Sequence, residues 1–295
     1  MVNPTKALAN ITMCCVDEGH HGKSKTSRQI LTKLSGCHYY IGLTATPPKE
    51  KTLELAELVS IIGPVLFDYG LETAIKNGNV APIKCFFLKT PESFHVKELV
   101  FNRRNYQVIW NNGVRDNEKR NKAIADICRH LHDLIGVSTL INVDRVEHGS
   151  SIQYELFKSK LSSVEMYGDD IVTIRNAKIQ RLMQNSVNIL LTSVVREGVD
   201  LPIAPPLAIN ASGKSKFIGV VQFLGRSVRK NEKFGSFRAL VDFYDTCHPL
   251  LQKHSEDRMS ACRDEGLEVI VVDSVSDLLQ QVVTYYNQCM STSEV

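Results

Sequence analysis

The chain has 295 residues, which suits one large domain or two of ordinary size, and its apolar fraction of 43% is ample for packed cores. A net charge of +3 and an isoelectric point near 8.3 do not by themselves argue for a nucleic-acid partner, so any basic groove has to be local. No apolar run reaches the ~18 residues of a membrane span, MVNPTKALANITM is no signal peptide, and eight cysteines without C-x-x-C spacing read as reduced core thiols of a cytoplasmic protein.

The first 75 residues hold two buried-strand candidates, ITMCCV (11–16) and HYYIGLT (38–44), separated by a polar helical segment. KTLELAELVSIIG (51–63) reads as a further helix. Two strands and two helices are too few to close a doubly wound sheet, so 1–75 is expected to be a partial lobe. The stretch 76–116 mixes one strand-like run with polar turns and reads as a connector. From 117 onward the pattern becomes regular. NEKRNKAIADICRHLHDL (117–134) places Ile124, Ile127, Cys128, Leu131 and Leu134 on one helical face. VSTLINV (137–143) is a strand, and the helix after it turns Ile152 and Leu156 inward. VEMY (164–167), NILLT (188–192), PLAIN (206–210) and FRALVDFY (237–244) are strands, with helices over 174–184 and 217–229. A final strand and amphipathic helix fill 267–289. Apolar strands alternating with amphipathic helices predict a parallel sheet covered on both faces, a complete α/β lobe over 117–295.

Chemistry concentrates at strand ends. Asp17-Glu18-Gly19-His20 follows a buried strand, where one carboxylate can hold Mg²⁺ through water and the next can orient an attacking water. The same pair also suits a helix N-cap with a charged first turn. In GLTATPP (42–48) the hydroxyls of Thr44 and Thr46 can bridge the carboxylate site to a second lobe. TSVVREGVDLP (192–202) puts Glu197, Gly198 and Asp200 at the carboxyl end of the sheet, the edge where open α/β folds bind ligands. QFLGRSVRK (222–230) sets Arg226 and Arg229 three residues apart on one helical face, suited to a γ-phosphoryl group or simply to a solvated helix end.

In order and spacing, DEGH, TATP, TSVVREGVD and QFLGRSVR resemble motifs II, III, V and VI of superfamily 2 helicases, and TLINVDRVEHG (139–149) resembles motif IV. The layout after residue 70 is similar to phage DExH helicases that remodel branched DNA, and the resemblance spans about 12–245. It implies RecA-like lobes and an ATP-dependent helicase or translocase with ATP and Mg²⁺ as cofactors. DNA is the expected nucleic acid, and the host cytoplasm the setting if the source is a phage. Asp17 then carries the magnesium through water, Glu18 the water, and His20 couples the site to the other lobe, with Thr44 and Thr46 also serving interlobe coupling. Gly198 and Asp200 touch nucleotide. Gln222, Arg226 and Arg229 act at the phosphates, and Thr192 and Glu197 contact nucleic acid.

One part of the pattern is missing. A phosphate cradle needs G-x-x-x-x-G-K-[ST]. GKS occurs at 22–24 and 213–215, but the required upstream positions are Asp17 and Ala208. Both read as decoys. The family's cradle belongs on the order of a hundred residues before Asp17. The expectation is therefore the C-terminal part of a split or truncated enzyme that needs a cradle-bearing (Walker A) polypeptide in trans. The alternative is a non-catalytic, RecA-like nucleic-acid-binding or regulatory subunit. His20, His21 and His38 lack metal-ligand spacing. Tyr106 and Trp110 can stack on a base or pack on a lobe. Lys23, Lys25, Arg28 and Lys33 read as a solvated basic face.

Overall fold

The apolar runs become parallel strands in the computed structural model, which describes residues 8–44, 52–90, 105–184, 186–193, 205–215 and 234–291. The chain divides into two compact units, Met1–Tyr69 and Gly70–Val295.

In the first unit, β1 (Met13–Val16) and β2 (Tyr39–Gly42) pair in parallel, with Met13 opposite Tyr39 and Val16 opposite Gly42. Around them lie a 3₁₀ turn (Gly19–Lys23), α1 (Lys25–Leu31) and α2 (Leu53–Ile62). Ser24 caps α1 and Thr52 caps α2 through side-chain oxygens that accept from the third residue on. Helix α2 approaches closely at two glycines. A Cβ on Gly22 or on Gly42 would sit 3.0 Å from an Ile62 methyl carbon. One face of the small sheet stays open, with Met13 55%, Tyr39 68% and Ile41 40% exposed. Part of the basic run is not merely solvated: Lys23 meets Glu54 at 2.9 Å and Arg28 meets Glu57 at 3.6 Å, tying α1's end of the unit to α2.

The second unit is built on one seven-stranded sheet, all parallel, in the order β5-β6-β4-β7-β8-β3-β9. Its elements are α3 (Leu71–Lys76), β3 (Lys84–Lys89), α4 (Tyr106–Trp110), α5 (Glu118–Ile135), β4 (Thr139–Asn142), α6 (Val146–Lys158), β5 (Ser163–Met166) and α7 (Val172–Met183). They continue with β6 (Ile189–Thr192), β7 (Leu207–Asn210), β8 (Ala239–Tyr244), α8 (Pro249–Asp264), β9 (Glu268–Val272) and α9 (Val275–Ser291). Side chains alternate across the sheet with period two. Phe86, Leu88, Ile141, Ile209, Val241 and Phe243 pack with α5, α6 and α9 residues such as Ile124, Ile152 and Val282. Cys85, Phe87, Leu140, Ala208 and Leu240 pack on the other side with Ile179, Leu182, Met259 and Cys262 of α7 and α8. Each fully buried phenylalanine or leucine stabilises by roughly 1.5–3 kcal/mol.

Several expectations change. The supposed connector supplies β3, whose Cys85–Leu88 stretch is buried and lies between β8 and β9. Its partners Ala239 and Glu268 are far along the chain, so local pattern does not reveal the pairing. Leu134 is 61% exposed, because Ile135, one residue further round α5, takes the place against the core. Helix α8 was not anticipated, although His248 caps it by accepting from the Leu250 amide and Pro249 starts it. All eight cysteines are free thiols, and Cys85, Cys128, Cys262 and Cys289 are core residues. Among the described residues no helix is long and apolar enough to cross a membrane.

Candidate functional site

Two strand ends meet in the first unit. Backbone bonds from Leu43 to Val16 and from Gly19 to Leu43 continue the β1–β2 pairing past the strands, at 2.9 and 2.6 Å. A Cβ on Gly19 would lie 3.2 Å from the Gly42 Cα, so the DEGH turn approaches the second strand closely. Glu18 takes up a left-handed conformation, φ 49° and ψ 51°. For a non-glycine residue that costs roughly 1–2 kcal/mol. The Glu18 amide donates to Asp17 Oδ1 at 2.9 Å, and the pair does not cap a helix with its side chains, which sets aside the N-cap reading.

His20 Nδ1 lies 2.9 Å from Thr44 Oγ1 and 3.4 Å from Glu18 Oε2. Residues 24 apart in sequence thus share one hydrogen-bonded cluster at the carboxyl ends of two parallel strands. The side chains of His20 and Glu18 are about a quarter exposed, 23% and 28%, so a ligand can reach them. Among the described residues no three His, Cys, Asp or Glu side chains are placed to hold a metal ion. Magnesium takes one or two carboxylates and completes its shell with water and phosphate oxygens, a donor set that Asp17 and Glu18 fit.

In the second unit a row of buried polar groups lines the carboxyl edge of the sheet. Asn142 at the end of β4 stands in register with Thr192 of β6 and Asn210 of β7. Thr192 is 1% exposed. Asn142 Nδ2 donates to Asn210 Oδ1 at 3.0 Å, and Asn210 Nδ2 donates to Asp242 Oδ2 at 2.8 Å. Arg258 donates to both Asp242 oxygens at 3.0 Å, while Arg120 Nε donates to Asp245 Oδ1 at 3.0 Å. Thr90 adds a bond to Asp245 at 2.6 Å. Burial pushes the Asp242 carboxyl up and the Arg258 guanidinium opposes that shift, while its two aspartates hold Arg258 protonated. Sequence reasoning missed this network. The only local signal was two aspartates inside the apolar run FRALVDFYD. Trp110 is 1% exposed, donates from Nε1 to the Ser212 carbonyl at 2.9 Å, and carries Arg145 over its ring at 4.9 Å, so it packs and does not offer a stacking face.

Thr46, Glu197, Gly198, Asp200, Gln222, Arg226 and Arg229 lie outside the described residues, as does the helix expected over 217–229.

No protein-family model and no curated protein sequence matches the chain. Solved structures do. T4 UvsW superposes with a TM-score of 0.53 at 22% identity, over 92% of this chain and 56% of that one. S. cerevisiae Dbp5 bound to RNA and ADP BeF3 gives 0.59 at 14% identity, over 94% and 63%. A fragment of a putative HsdR subunit of a type I restriction enzyme from Vibrio vulnificus gives 0.61 at 18% identity, over 89% and 48%. The chain therefore spans about half to under two thirds of the length of these proteins. At such identities the likeness speaks for the fold alone: an α/β, RecA-like architecture with an all-parallel seven-stranded sheet.

Proposed function

We propose that this chain is a component of an ATP-dependent DNA helicase or translocase of the DExH type, whose Walker A phosphate cradle is not among these 295 residues. The observation that carries this reading is the cluster of Glu18, His20 and Thr44 beside Asp17, at the carboxyl ends of two parallel strands. It joins DEGH to the hydroxyl-bearing TATP segment, as a site coupling hydrolysis to movement requires.

In this reading Glu18 orients the attacking water and accepts its proton, and Asp17 offers a carboxylate to hydrated magnesium. Bound magnesium supplies charge neutralisation at the β- and γ-phosphates. His20 holds Glu18 on one side and Thr44 on the other, so a change at the carboxylate is felt at the second strand. Gly198 and Asp200 contact nucleotide, Gln222, Arg226 and Arg229 meet charge developing on the transferred phosphoryl group, and Glu197 serves the nucleic-acid contact, from which Thr192 is withheld by its burial at 1% exposure. An arginine in that role contributes about 10³–10⁵ in rate.

The test is nucleic-acid-stimulated ATP hydrolysis by the purified chain, alone and mixed with cradle-bearing candidate polypeptides. Turnover only in a mixture, lost about 10³-fold in Arg229→Ala, is the expected result. Robust hydrolysis by these 295 residues alone overturns the reading that the cradle lies outside them. No hydrolysis in any mixture favours a non-catalytic RecA-like subunit.

A further inference from the structure

Three glycines let the DEGHHG turn, β2 and α2 come close together in the first unit. A Cβ on Gly19 would lie 3.2 Å from the Gly42 Cα. One on Gly22 would lie 3.0 Å from Ile62 Cδ1, and one on Gly42 would lie 3.0 Å from Ile62 Cγ2. None of the three has a positive φ, so neighbouring atoms and not backbone angles limit the space.

Helix α2 lies along the turn through residues spaced four apart, which share one helical face. Glu54 meets Lys23 at 2.9 Å, and Leu58 and Ile62 both face Gly22. Ile62 reaches β2 as well. Its Cδ1 adjoins both Gly22 and Gly42, and its Cγ2 adjoins Gly42, so one branched side chain occupies the space between the two glycines. Gly22 comes two residues after His20, and Gly42 two residues before Thr44. His20 Nδ1 and Thr44 Oγ1 meet at 2.9 Å, and the Gly19 amide donates to the Leu43 carbonyl at 2.6 Å.

We propose that Ile62 is a positioning residue for the polar cluster. Its width, held between Gly22 and Gly42, sets how the turn stands against the end of β2, and so the bond between His20 and Thr44. Close-packed side chains pass small displacements on to their neighbours, which is how an apolar group aligns polar groups that it does not bond. The functional weight of this role rests on the reading of Glu18, His20 and Thr44 as part of a hydrolytic site; the packing itself does not.

The test exchanges one methyl between the two sides of the contact. Ile62→Val deletes Cδ1. Gly22→Ala adds a methyl 3.0 Å from where Cδ1 stands. In the double variant the nearest remaining atoms, Leu58 Cδ1 at 3.5 Å and Cγ1 of position 62 at 3.7 Å, are at ordinary contact distance. The isotope-labelled chain is followed by NMR at the His20 ring nitrogens and at the Gly19 amide. Each single variant should move the His20 ring resonances and speed exchange of the Gly19 amide roughly three- to tenfold, with little change at the middle of β1 and β2. The double variant should restore both. Unchanged His20 resonances in either single variant, equal loss of protection throughout the unit, or no recovery in the double variant overturns the proposal. ATP hydrolysis by the complete enzyme tests the underlying reading separately: kcat should fall in the single variants and recover in the double variant at nearly constant KM. The expected resonance changes without hydrolysis in any mixture would remove the ATPase reading and keep the positioning role.

Discussion

Asp242→Asn tests the buried network directly. The substitution keeps the shape of the side chain and removes its charge. Arg258 is 0% exposed, and two of its nitrogens lie 3.0 Å from the Asp242 oxygens. The next carboxylate oxygen, Asp245 Oδ2, is 3.9 Å away. Removing one partner of such a pair strands a buried charge and costs about 3–5 kcal/mol. That is a large share of the roughly 5–15 kcal/mol that holds a typical protein folded. Trp110 is the chain's single tryptophan and is buried in the Gly70–Val295 unit, so its fluorescence reports that unit alone. With a urea dependence of about 3 kcal/mol per molar, the midpoint should fall by about 1–2 M. Asp242→Leu combined with Arg258→Met should recover most of the loss, since neither charge is then stranded. A midpoint shift under about 0.3 M, or a double variant as unstable as the sum of the singles, would refute this account of the network.

Acid should weaken the same unit. Burial and the neighbouring Arg120 hold the His148 imidazole well below its ordinary value of 6.5, so it is neutral in the fold. The unfolded chain takes up a proton near pH 6.5 that the folded chain refuses, so this stability is present above pH 6.5 and is lost as pH falls below it, by about 1.4 kcal/mol per pH unit. Urea midpoints from pH 7.5 to 5.5 should drop more steeply in the native chain than in His148→Asn. Gly149→Ala should cost about 1–3 kcal/mol in the same assay, because the added Cβ would lie 1.9 Å from the Tyr167 hydroxyl. Tyr167→Phe should relieve part of the Gly149→Ala penalty, because it removes the oxygen that the added Cβ meets. In hydrogen exchange, β1 and β2 of the isolated chain should lose protection well before β3 and β8, whose residues are almost wholly buried; equal protection would refute this.

Local pattern was enough for most of the second unit. The apolar runs over 139–142, 189–192, 207–210 and 239–244 have no polar alternation, and only a sheet covered on both faces uses such strands. The motif order singles out Asp17, Glu18, His20, Thr44 and Thr46, and of these the structure joins Glu18, His20 and Thr44 in one cluster. Tertiary structure decided the rest, because it depends on partners far apart in the chain. β3 became an interior strand only through pairing with β8 and β9, beyond the reach of any local window. Nothing in the local sequence marks Arg120 or Arg258, yet both are fully buried against aspartates that β8 carries inside or just beyond it. Trp110 was open to a stacking role until its ring nitrogen found the Ser212 carbonyl, 102 residues away. Periodicity tells which face of an element is apolar. Which polar side chain will be satisfied in the interior is settled only when distant donors and acceptors are brought together.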